Sequence, residues 1–583
     1  MQSTRFIIAF IVALLATSVL AQTHKTVPGR PLSEMVSASR GPIQPGADKL
    51  WPTITWGGDA ASFLGVELKG IFAQRGLSYQ IAHNDDVVDQ TTKVIRGEQV
   101  YFRGTLGMDV LADEAVRKAG LHLVPIVALT RSTGGDAVVA RAGIKSPSDL
   151  RGKKIAVQYP GPHVYFLAKM LKDARVPLSG PGAPTIVYYP ELTIPMDDTP
   201  DIVDPVTAFT ADSSIDAVMC IIPDVDILTG AEGPAGAHML YSTRTAQRVI
   251  YDVVSVRSDY FANNRSQVEN AVRAMLSSTE AVQALWANKA AKQTDFSQLT
   301  DRMSQSFGLS PDESGGMIGD CTFANHNGNY HFFSGVGQTR NLANITKEMM
   351  VIFNQMGLLR TTWTVASPGW DWTKLGSGLQ HVAIISSSGS ATQSVASPPS
   401  SPRYDEAALE RLVTGLVAEP TSDVGADGKL FEITLLFAPN AKTFDIAKYT
   451  AEFQEALEYM QTYEGAVVSF TGHSDPRGIQ RAKEKYADHP AKAQLISKVR
   501  QLLKDLSVQR ANNAKTAFLQ YCRQHQFQID QSSIVAVGVG QSRPAHPLPS
   551  SGTLGPRQNA ENRRVVVELI QIEAELDDVL SGL

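Results

Sequence analysis

The sequence predicts an α/β protein that is built from more than one domain. Its 583 residues exceed what a single hydrophobic core usually holds, so two or three domains are expected. Over residues 54–360, short β-rich runs alternate with helical patterns, as they do in α/β folds. Residues 154–157 and 215–222 are typical of buried strands. In residues 267–286 apolar side chains return every three or four positions, which predicts a helix.

Charge and composition exclude several functional classes. The net charge is −5 at pH 7, and 43% of the residues are hydrophobic, as in ordinary globular proteins. A nucleic-acid-binding protein would need a clustered basic surface, which this balance does not favour. The three cysteines, Cys220, Cys321 and Cys522, are too few for a disulfide framework, and the chain has no CxxC or HExxH motif. We therefore expect no nucleic acid, no metal and no cofactor.

The first 21 residues have the pattern of a secretory signal peptide. Arg5 supplies a positive charge, residues 6–16 are apolar, and Val19 and Ala21 occupy the small-residue positions before a cleavage site. The apolar run is short for a membrane span, and an uncleaved signal anchor is the alternative. No cysteine lies near the cleavage site, so acylation is not expected. No other run of about 18 apolar residues follows, so we expect a soluble, exported mature chain that begins with a flexible lead-in over residues 22–50.

A motif in residues 144–157, IKSPSDLRGKKIAV, points to a family. Ser146 can cap a short helix, Gly152 can end it, and a buried strand follows. The segment resembles the I-x-S-x-x-D-L-x-G-K-x-I-A-V segment of type 2 periplasmic substrate-binding proteins. Residues 56–59, 104–109 and 216–224 resemble further segments of that family, in the same order.

This resemblance implies a two-lobed α/β fold over residues 51–365, and it is nearest to the group that binds nitrate, sulfonates or thiamine precursors. Such proteins hold a small solute between loops and helix starts at the carboxyl ends of strands. The candidate solute-binding residues are Trp56, Gly57, Gly58, Asp59, Thr105, Asp109, Tyr159, Gly161, His163 and Asp224. Backbone amides at the helix starts would suit an anion, whereas the aspartates would suit an amine or another cation, and both alternatives stay open. For each single residue, a turn or capping role is the alternative.

Residues 321–331, CTFANHNGNYH, form an unusual polar run. One thiol and two histidines at this spacing do not match a zinc pattern, so a loop that helps to close the cleft is the preferred interpretation. A disulfide between Cys220 and Cys321 is compatible with an oxidising compartment.

A Ser- and Pro-rich stretch follows the predicted two-lobed domain of residues 51–365, called here the front domain. It predicts a linker over residues 366–427. Two aromatic side chains, Trp370 and Trp372, stand at its start. They either dock back on the front domain or lie exposed in the linker.

Four blocks near the C-terminus carry a second resemblance. They are GHSDPRG at residues 472–478, LSVQRA at 506–511, GVGQSRP at 538–544 and NRRV at 562–565. In this order they resemble the OmpA-like peptidoglycan-binding domain. The resemblance covers residues 428–573, leaves a short tail at 574–583, and implies a smaller α+β domain bound to the cell wall, at the inner face of the outer membrane.

The resemblance also implies a ligand, the diaminopimelate of the peptidoglycan stem peptide. Its free end carries an ammonium and a carboxylate, which Asp475 and Arg510 would bind respectively. Arg510 is expected in the first turn of a helix, where the helix N-terminus would favour the carboxylate. The remaining implied contacts are Thr471, Gly472, Ser474, Gly478 and Arg563. The alternative is that Asp475 caps a turn and Arg510 pairs locally, with Arg563 or Arg564 in a structural salt bridge.

The chain departs from that family's pattern between residues 479 and 505. A long Lys-, Arg- and Ala-rich segment replaces a short stretch that usually holds an Asn, and it predicts an amphipathic helix interrupted near His489 and Pro490. The usual Asn contact therefore has no counterpart.

Together the two resemblances imply a non-enzymatic exported protein that binds a solute and is anchored to peptidoglycan, with an inner-membrane permease or another envelope protein as partner. A scaffold whose front domain binds a partner rather than a solute is the main alternative. A motor component would need an acidic residue in a membrane helix, and an enzyme would need a nucleophile–base motif. The sequence provides neither.

Overall fold

The computed structural model describes residues 23–193, 201–231, 233–382, 406–418, 429–464, 466–527, 529–549 and 553–570. Within these ranges the chain is mixed α/β, with four sheets. The predicted signal peptide and the tail at 574–583 lie outside the described residues. No helix in the described part of the chain is long and apolar enough to span a membrane.

The described strands and helices are as follows. The strands are β1 Leu50–Thr53, β2 Gln80–His83, β3 Tyr101–Thr105, β4 Leu123–Ser132, β5 Asp136–Ala140, β6 Lys154–Gln158, β7 Thr185–Tyr189, β8 Ala217–Ile221, β9 His238–Ser242, β10 Tyr251–Arg257, β11 Cys321–Phe323, β12 Lys429–Leu436, β13 Val467–His473, β14 Ile534–Gly540 and β15 Arg564–Ile570. The helices are α1 Leu32–Met35, α2 Ala60–Phe63, α3 Val87–Arg96, α4 Leu106–Lys118, α5 His163–Asp173, α6 Pro205–Ala211, α7 Ile222–Thr229, α8 Ser258–Ala287, α9 Gln293–Phe307, α10 Pro311–Gly319, α11 His326–Ser334, α12 Leu342–Gln355, α13 Trp372–Leu375, α14 Glu406–Ala418, α15 Thr450–Thr462, α16 Arg477–Lys485, α17 Lys492–Gln524 and α18 Pro556–Asn562.

The front unit, residues 23–382, has two lobes that each contain a sheet. Lobe one has the strand order β11-β4-β10-β3, with β10 antiparallel to both neighbours, and a separate parallel pair of β1 and β2. Lobe two has the order β7-β6-β8-β5-β9, in which β6 runs parallel to β7 and β8. Helices cover these sheets, so the strands are buried and read as apolar runs.

Lobe two is inserted into lobe one, because the chain passes between them twice. The first passage joins β4 to β5 and the second joins β9 to β10. Two short passages at one place form a hinge, and the space beside a hinge is where lobe closure can enclose a small molecule.

The sequence predictions for two strands of lobe two and one helix of lobe one are confirmed. The predicted strands at 154–157 and 215–222 are β6 and β8, and the helix predicted over 267–286 belongs to α8. The Ser146 backbone N–H and hydroxyl both donate to the Asp149 carboxylate at the start of a one-turn helix, Pro147–Leu150. Gly152 follows with a φ of 71°, a conformation that glycine adopts without strain.

The lead-in at residues 22–50, expected to be flexible, is packed against both lobes from residue 23 onward. Val27 donates its backbone N–H to Tyr188 of β7, and the side chain of Leu32 is fully buried beside α4 of lobe one. Polar composition predicts mobility only where no tertiary partner exists, and here the lobes supply one.

The predicted linker at 366–427 is also partly ordered by packing. Trp370 is buried and donates its indole N–H to the carbonyl of Ile126, and Trp372 packs on His326, so both aromatic residues dock on the front unit. Helix α14 places Leu409 and Val413 against the sheet of the C-terminal unit. The Ser- and Pro-rich residues 383–405 lie outside the described residues.

The C-terminal unit, residues 406–570, contains the sheet β12-β15-β13-β14. Strands β13 and β14 are parallel and the other pairs are antiparallel, with α15 and α17 packed on the sheet. The chain is therefore α+β here, as predicted. The segment at 479–505 forms parts of two helices, and the break between them includes His489 and Pro490.

The C-terminal unit sits on the front unit through the turn that follows α15. Glu464 pairs with Arg131 of β4 and with Arg248 in the hinge passage, whose Nε lies 2.9 Å from the Glu464 carboxylate. In the same turn, the Tyr463 hydroxyl donates to Asp173 of α5 in lobe two. The turn thus contacts lobe one, the hinge and lobe two at once.

Candidate functional site

A cavity of about 410 Å³ lies between the two lobes. Lobe one contributes the loop after β1, the start of α3 and the start of α4. Lobe two contributes the loop after β6 and the loop after β7. A volume of this size is typical of small-molecule sites, and both hinge passages border it.

Trp56 forms the wall of the cavity on the side of lobe one. Its indole N–H donates to the Thr130 hydroxyl at 3.3 Å, and Thr130 in turn donates to Asp252 at 2.7 Å. A side chain at Gly135 would lie 2.3 Å from the Trp56 ring, so the ring packs directly on the hinge backbone. The glycine is needed for this close approach.

Beneath this wall lies a buried ion triad. The Arg103 guanidinium is between Asp59, at 2.8 Å, and Asp252, at 3.0 Å, and all three side chains are buried. Burial raises the pKa of Asp59 to about 6 against the opposing effect of Arg103, and burial also raises the pKa of Asp252. The triad holds Asp252 and, through Thr130, the Trp56 indole in fixed positions.

At the hinge, Asp136 begins β5 and faces the cavity. Its Oδ1 accepts a hydrogen bond at 2.7 Å from the Nε2 of His163, which is fully buried at the start of α5. The second carboxylate oxygen, Oδ2, has no hydrogen-bond partner among the described residues. A buried carboxylate oxygen without a partner is costly unless a ligand supplies a donor.

Lobe two closes the other side through the loop after β6. Tyr159 lines the cavity and precedes Pro160 in a cis peptide bond, and its hydroxyl donates to the carbonyl of Arg30 in the lead-in. Burial raises the pKa of Tyr159 well above its usual value, so it remains a neutral donor. Gln158 and Glu191 also line this side.

The predicted solute-binding residues divide into three groups. Trp56, Thr105 and Tyr159 line the cavity, and His163 supports the lining residue Asp136. Asp59 lies in the triad rather than in the lining. Asp109 and Asp224 are buried outside the lining, and burial raises their pKa values to about 8 and about 7.

The three predicted glycines lie outside the lining and are closely packed. A side chain at Gly57 would lie 2.0 Å from the Met317 carbonyl oxygen, and one at Gly58 would lie 2.5 Å from the Thr130 hydroxyl. A side chain at Gly161 would lie 2.4 Å from the side-chain oxygen of Gln158. These positions allow the loops to approach closely, so they shape the cavity without touching its contents.

Sequence reasoning missed Asp136, although a signal was present. Residues 133–137 read TGGDA and residues 56–60 read WGGDA, so the same Gly-Gly-Asp-Ala motif opens both sides of the cleft. Only the first copy was recognised. The other missed carboxylates of the lining, Asp85, Asp86, Glu191 and Asp252, carry no comparable signal.

The polar run at 321–331 does not form a cleft-closing loop. It folds as β11 and part of α11, and none of its residues lines the cavity. His326 bonds the carbonyl of Trp372 and His331 bonds that of Val336, which satisfies both rings. Cys220 and Cys321 are free buried thiols, so the disulfide between them is not formed. Among the described residues, no group of three or more His, Cys, Asp or Glu side chains could hold a metal ion.

The second candidate site lies in the C-terminal unit, where β13 ends. Asp475 and Arg510 do not pair with each other. The Asp475 Oδ2 pairs with Arg563 at 3.0 Å, and its Oδ1 accepts the backbone N–H of Arg477. Arg510 is buried and donates to the carbonyls of Ala441 and His473, but its Nη2 has no partner within the described residues.

The helical context predicted for Arg510 is wrong. Arg510 lies in the middle of α17, because the extra residues before it continue the same helix from Lys492. No helix N-terminus is therefore available to a carboxylate at this point. Burial, followed by the charge of Arg563, lowers the pKa of Arg510 to about 10, which leaves it charged at neutral pH.

The other residues predicted around Asp475 mainly fix the strand against α17. The Ser474 hydroxyl donates to the Leu503 carbonyl at 2.7 Å, and Thr471 bonds Ser469 within β13. A side chain at Gly472 would lie 2.0 Å from the Ser507 carbonyl, and one at Gly478 would lie 3.1 Å from Leu503.

Comparison with known proteins bears on the front unit. Residues 60–186 match the sequence model of the family described as NMT1/THI5 like. No curated protein matches the chain. The family match begins at α2, after the loop that carries Trp56, and extends into β7, so it includes Thr105, Asp136 and Tyr159.

Several solved structures are similar to the front unit at low identity. The periplasmic aliphatic sulphonate-binding protein of Escherichia coli is 12% identical with a TM-score of 0.39, over 55% of this chain and 93% of that chain. The alkanesulfonate-binding protein of Xanthomonas axonopodis pv. citri is 13% identical with a TM-score of 0.37, over 55% and 96%. The periplasmic nitrate-binding protein of Synechocystis PCC 6803 is 12% identical with a TM-score of 0.36, over 56% and 84%.

Proposed function

We propose that this chain is a non-enzymatic, exported solute-binding protein of the periplasm, whose front unit encloses a small molecule between its two lobes. The observation that carries the proposal is the cavity of about 410 Å³ at the hinge, lined from both lobes. The match of residues 60–186 to the NMT1/THI5-like family supports it, as does the signal-peptide pattern of residues 1–21. The bound solute would then pass to a transporter or be reported to an envelope partner.

The solute part of the proposal is tested by native mass spectrometry of the mature protein, extracted gently from the cells that produce it. We expect a reproducible added mass that disappears on partial unfolding, because the cavity is built from both lobes and is lost when they unfold. A clean protein mass that stays clean after incubation with anions, sulfonates, amines and pyrimidines would favour the scaffold alternative instead.

The C-terminal unit is proposed to hold the chain on peptidoglycan through the site at Asp475 and Arg510. The buried Nη2 of Arg510 is a charged donor without a partner among the described residues, and a carboxylate is the group that such a donor favours. Asp475 and Arg563 lie beside it, so the Asp475 carboxylate would be the partner for the ligand's ammonium group. The stem peptide of diaminopimelate-type peptidoglycan carries both groups on one carbon.

We expect Arg510→Lys to abolish co-sedimentation with purified sacculi. Lysine keeps one donor for the local carbonyls, but it lacks the planar fork that binds a carboxylate with two hydrogen bonds. Asp475→Ala is expected to act in the same direction. Arg557→Ala is the matched control, since 91% of that side chain is exposed on the same unit. Unchanged sedimentation of a folded Arg510→Lys protein would defeat the anchor proposal.

Anchoring would change how the front unit works. A solute-binding unit that is held at the wall has a high local concentration near envelope partners. The docking of the C-terminal unit on both lobes and the hinge would also place the anchor next to the part of the front unit that moves on closure. The two functions would therefore be carried by one assembly.

A further inference from the structure

The lining of the cavity carries a charge pattern that identifies the class of solute. Of the 25 described residues that line it, five are aspartate or glutamate, and none is lysine, arginine or histidine. An anion in this cavity would meet several carboxylates and no facing cation. A cation, by contrast, would meet carboxylates of opposite charge and no like charge from the lining.

Two of the helix starts at the cavity, those of α3 and α4, are capped by the protein's own side chains, whereas those of α5 and α7 have no side-chain cap. The N-terminus of α3 is capped by the carboxylate of Asp86, which accepts the backbone N–H groups of Val88 and Asp89 at 2.8 and 3.0 Å. The N-terminus of α4 is capped by the Thr105 hydroxyl, which accepts the N–H of Met108. At these two helix starts, donors that would attract an anion are thus already used by the protein's own side chains.

The carboxylates of the lining differ in how far they are already satisfied. Asp85 accepts hydrogen bonds from Thr55 through both of its oxygens, and Asp252 is held by Arg103 and Thr130. Asp136 is different, because His163 occupies only Oδ1 and leaves Oδ2 without a partner. With 3% of its surface exposed, this carboxylate lacks the water that normally compensates a charge.

Aromatic side chains line the same cavity as that carboxylate. The Trp56 ring packs on Gly135, the residue directly before Asp136. Tyr159 and Phe307 also line the cavity, together with apolar side chains such as Met108 and Ile221. A ring face next to a buried carboxylate attracts an ammonium or amidinium group, while the apolar lining accommodates a hydrocarbon or aromatic body.

We propose that the solute is a small organic cation whose charged nitrogen binds the Oδ2 of Asp136 in the cavity that Trp56 also lines. This inference rests on the proposed solute-binding function. It specifies an organic cation rather than a metal ion, because the described residues contain no group of acidic, histidine or cysteine side chains suited to a metal. It also separates this chain from the sulphonate- and nitrate-binding proteins that its front unit is similar to.

The test uses isothermal titration of the full mature chain with matched probes of equal shape and different charge. Benzylammonium, benzyl alcohol and benzenesulfonate form one set, and choline, putrescine, nitrate and methanesulfonate extend the panel. We expect the cations to bind, and benzylammonium to bind at least tenfold more tightly than benzyl alcohol, with no binding of the anions. This comparison needs no variant, so it does not depend on a substitution being tolerated.

A variant then tests the assigned residue. Asp136→Asn keeps the shape and one acceptor but removes the charge, so cation affinity should fall roughly 10- to 100-fold. Asp301→Asn, at an exposed position on α9, is the control and should leave the affinity unchanged. Equal cation affinity in the Asp136→Asn protein would overturn the assignment.

The outcomes distinguish this inference from the function it rests on. Binding of sulfonates or nitrate without binding of any cation would overturn the inference and leave the solute-binding function intact. Absence of binding for every probe, together with a clean native mass, would overturn the solute-binding function and this inference with it.

Discussion

Replacing Arg103 with methionine is expected to destabilise the front unit by about 3–5 kcal/mol, which is the usual cost of removing one partner from a buried ion pair. Arg103 is fully buried, and it bonds Asp59, Asp252 and the carbonyl of Gly104. Without it, two carboxylates would remain in the interior with no cation, so both would have to be protonated for the protein to fold. Guanidinium unfolding at pH 7, followed by fluorescence of the front unit, measures the loss.

Two further proteins show whether the charge imbalance causes that loss. Arg40→Met removes an arginine that is half exposed in its pair with Asp259, and it should cost less than about 1 kcal/mol. Combining Arg103→Met with Asp59→Asn and Asp252→Asn removes the stranded charges and should recover part of the stability. A single Arg103→Met protein as stable as wild type would show that the triad does not hold the floor of the cavity.

The triad also illustrates which parts of the site the sequence could predict. The motif at residues 56–59 was recognised by resemblance, and the structure places Trp56 in the cavity wall. Asp59, three residues after Trp56, instead pairs with Arg103 on β3, far away in sequence. Sequence spacing places residues on the same loop, but only the packing of distant strands decides which of them face the cavity.

Strand and helix positions were predictable where the local pattern was unambiguous. Buried parallel strands read as continuous apolar runs, so β6 and β8 were located correctly. Helix α14 was missed within the predicted linker, although Leu409 and Val413 have the four-residue spacing of a buried helical face. The Ser- and Pro-rich composition of the preceding segment outweighed a periodicity that extends over only 13 residues.

Other differences have causes that no local pattern contains. The lead-in is polar, yet it is ordered by a backbone bond to β7 and by burial of Leu32. Arg510 was predicted near a helix start because the OmpA-like domains that this part of the sequence resembles have a short segment before that position. In this chain the inserted residues extend α17 by several turns on its N-terminal side. An insertion that continues a helix moves the helix start without moving the residues that follow it.

Asp109 gives the last prediction, which concerns pH. Its side chain is buried on α4, one oxygen has no partner among the described residues, and burial raises its pKa to about 8. In the unfolded chain an aspartate ionises near pH 4. Between about pH 4 and pH 8 the folded protein therefore binds one proton more than the unfolded chain at this position, and stability falls as the pH rises through this window.

Asp109→Asn removes that titration, so the variant should gain stability relative to wild type by about 4 kcal/mol between pH 5 and pH 8, at about 1.4 kcal/mol for each pH unit. Because Asp59 and Asp224 titrate in both proteins, their effects cancel in the difference. Denaturant unfolding at pH 5 and pH 8 measures this difference in stability. Asp301→Asn is the surface control, and its stability should change with pH in parallel with that of wild type. If the stability of the Asp109→Asn protein also changed with pH in parallel with that of wild type, Asp109 would be ionised in the folded protein. The interior beside α4 would then have to supply it with a donor or a cation.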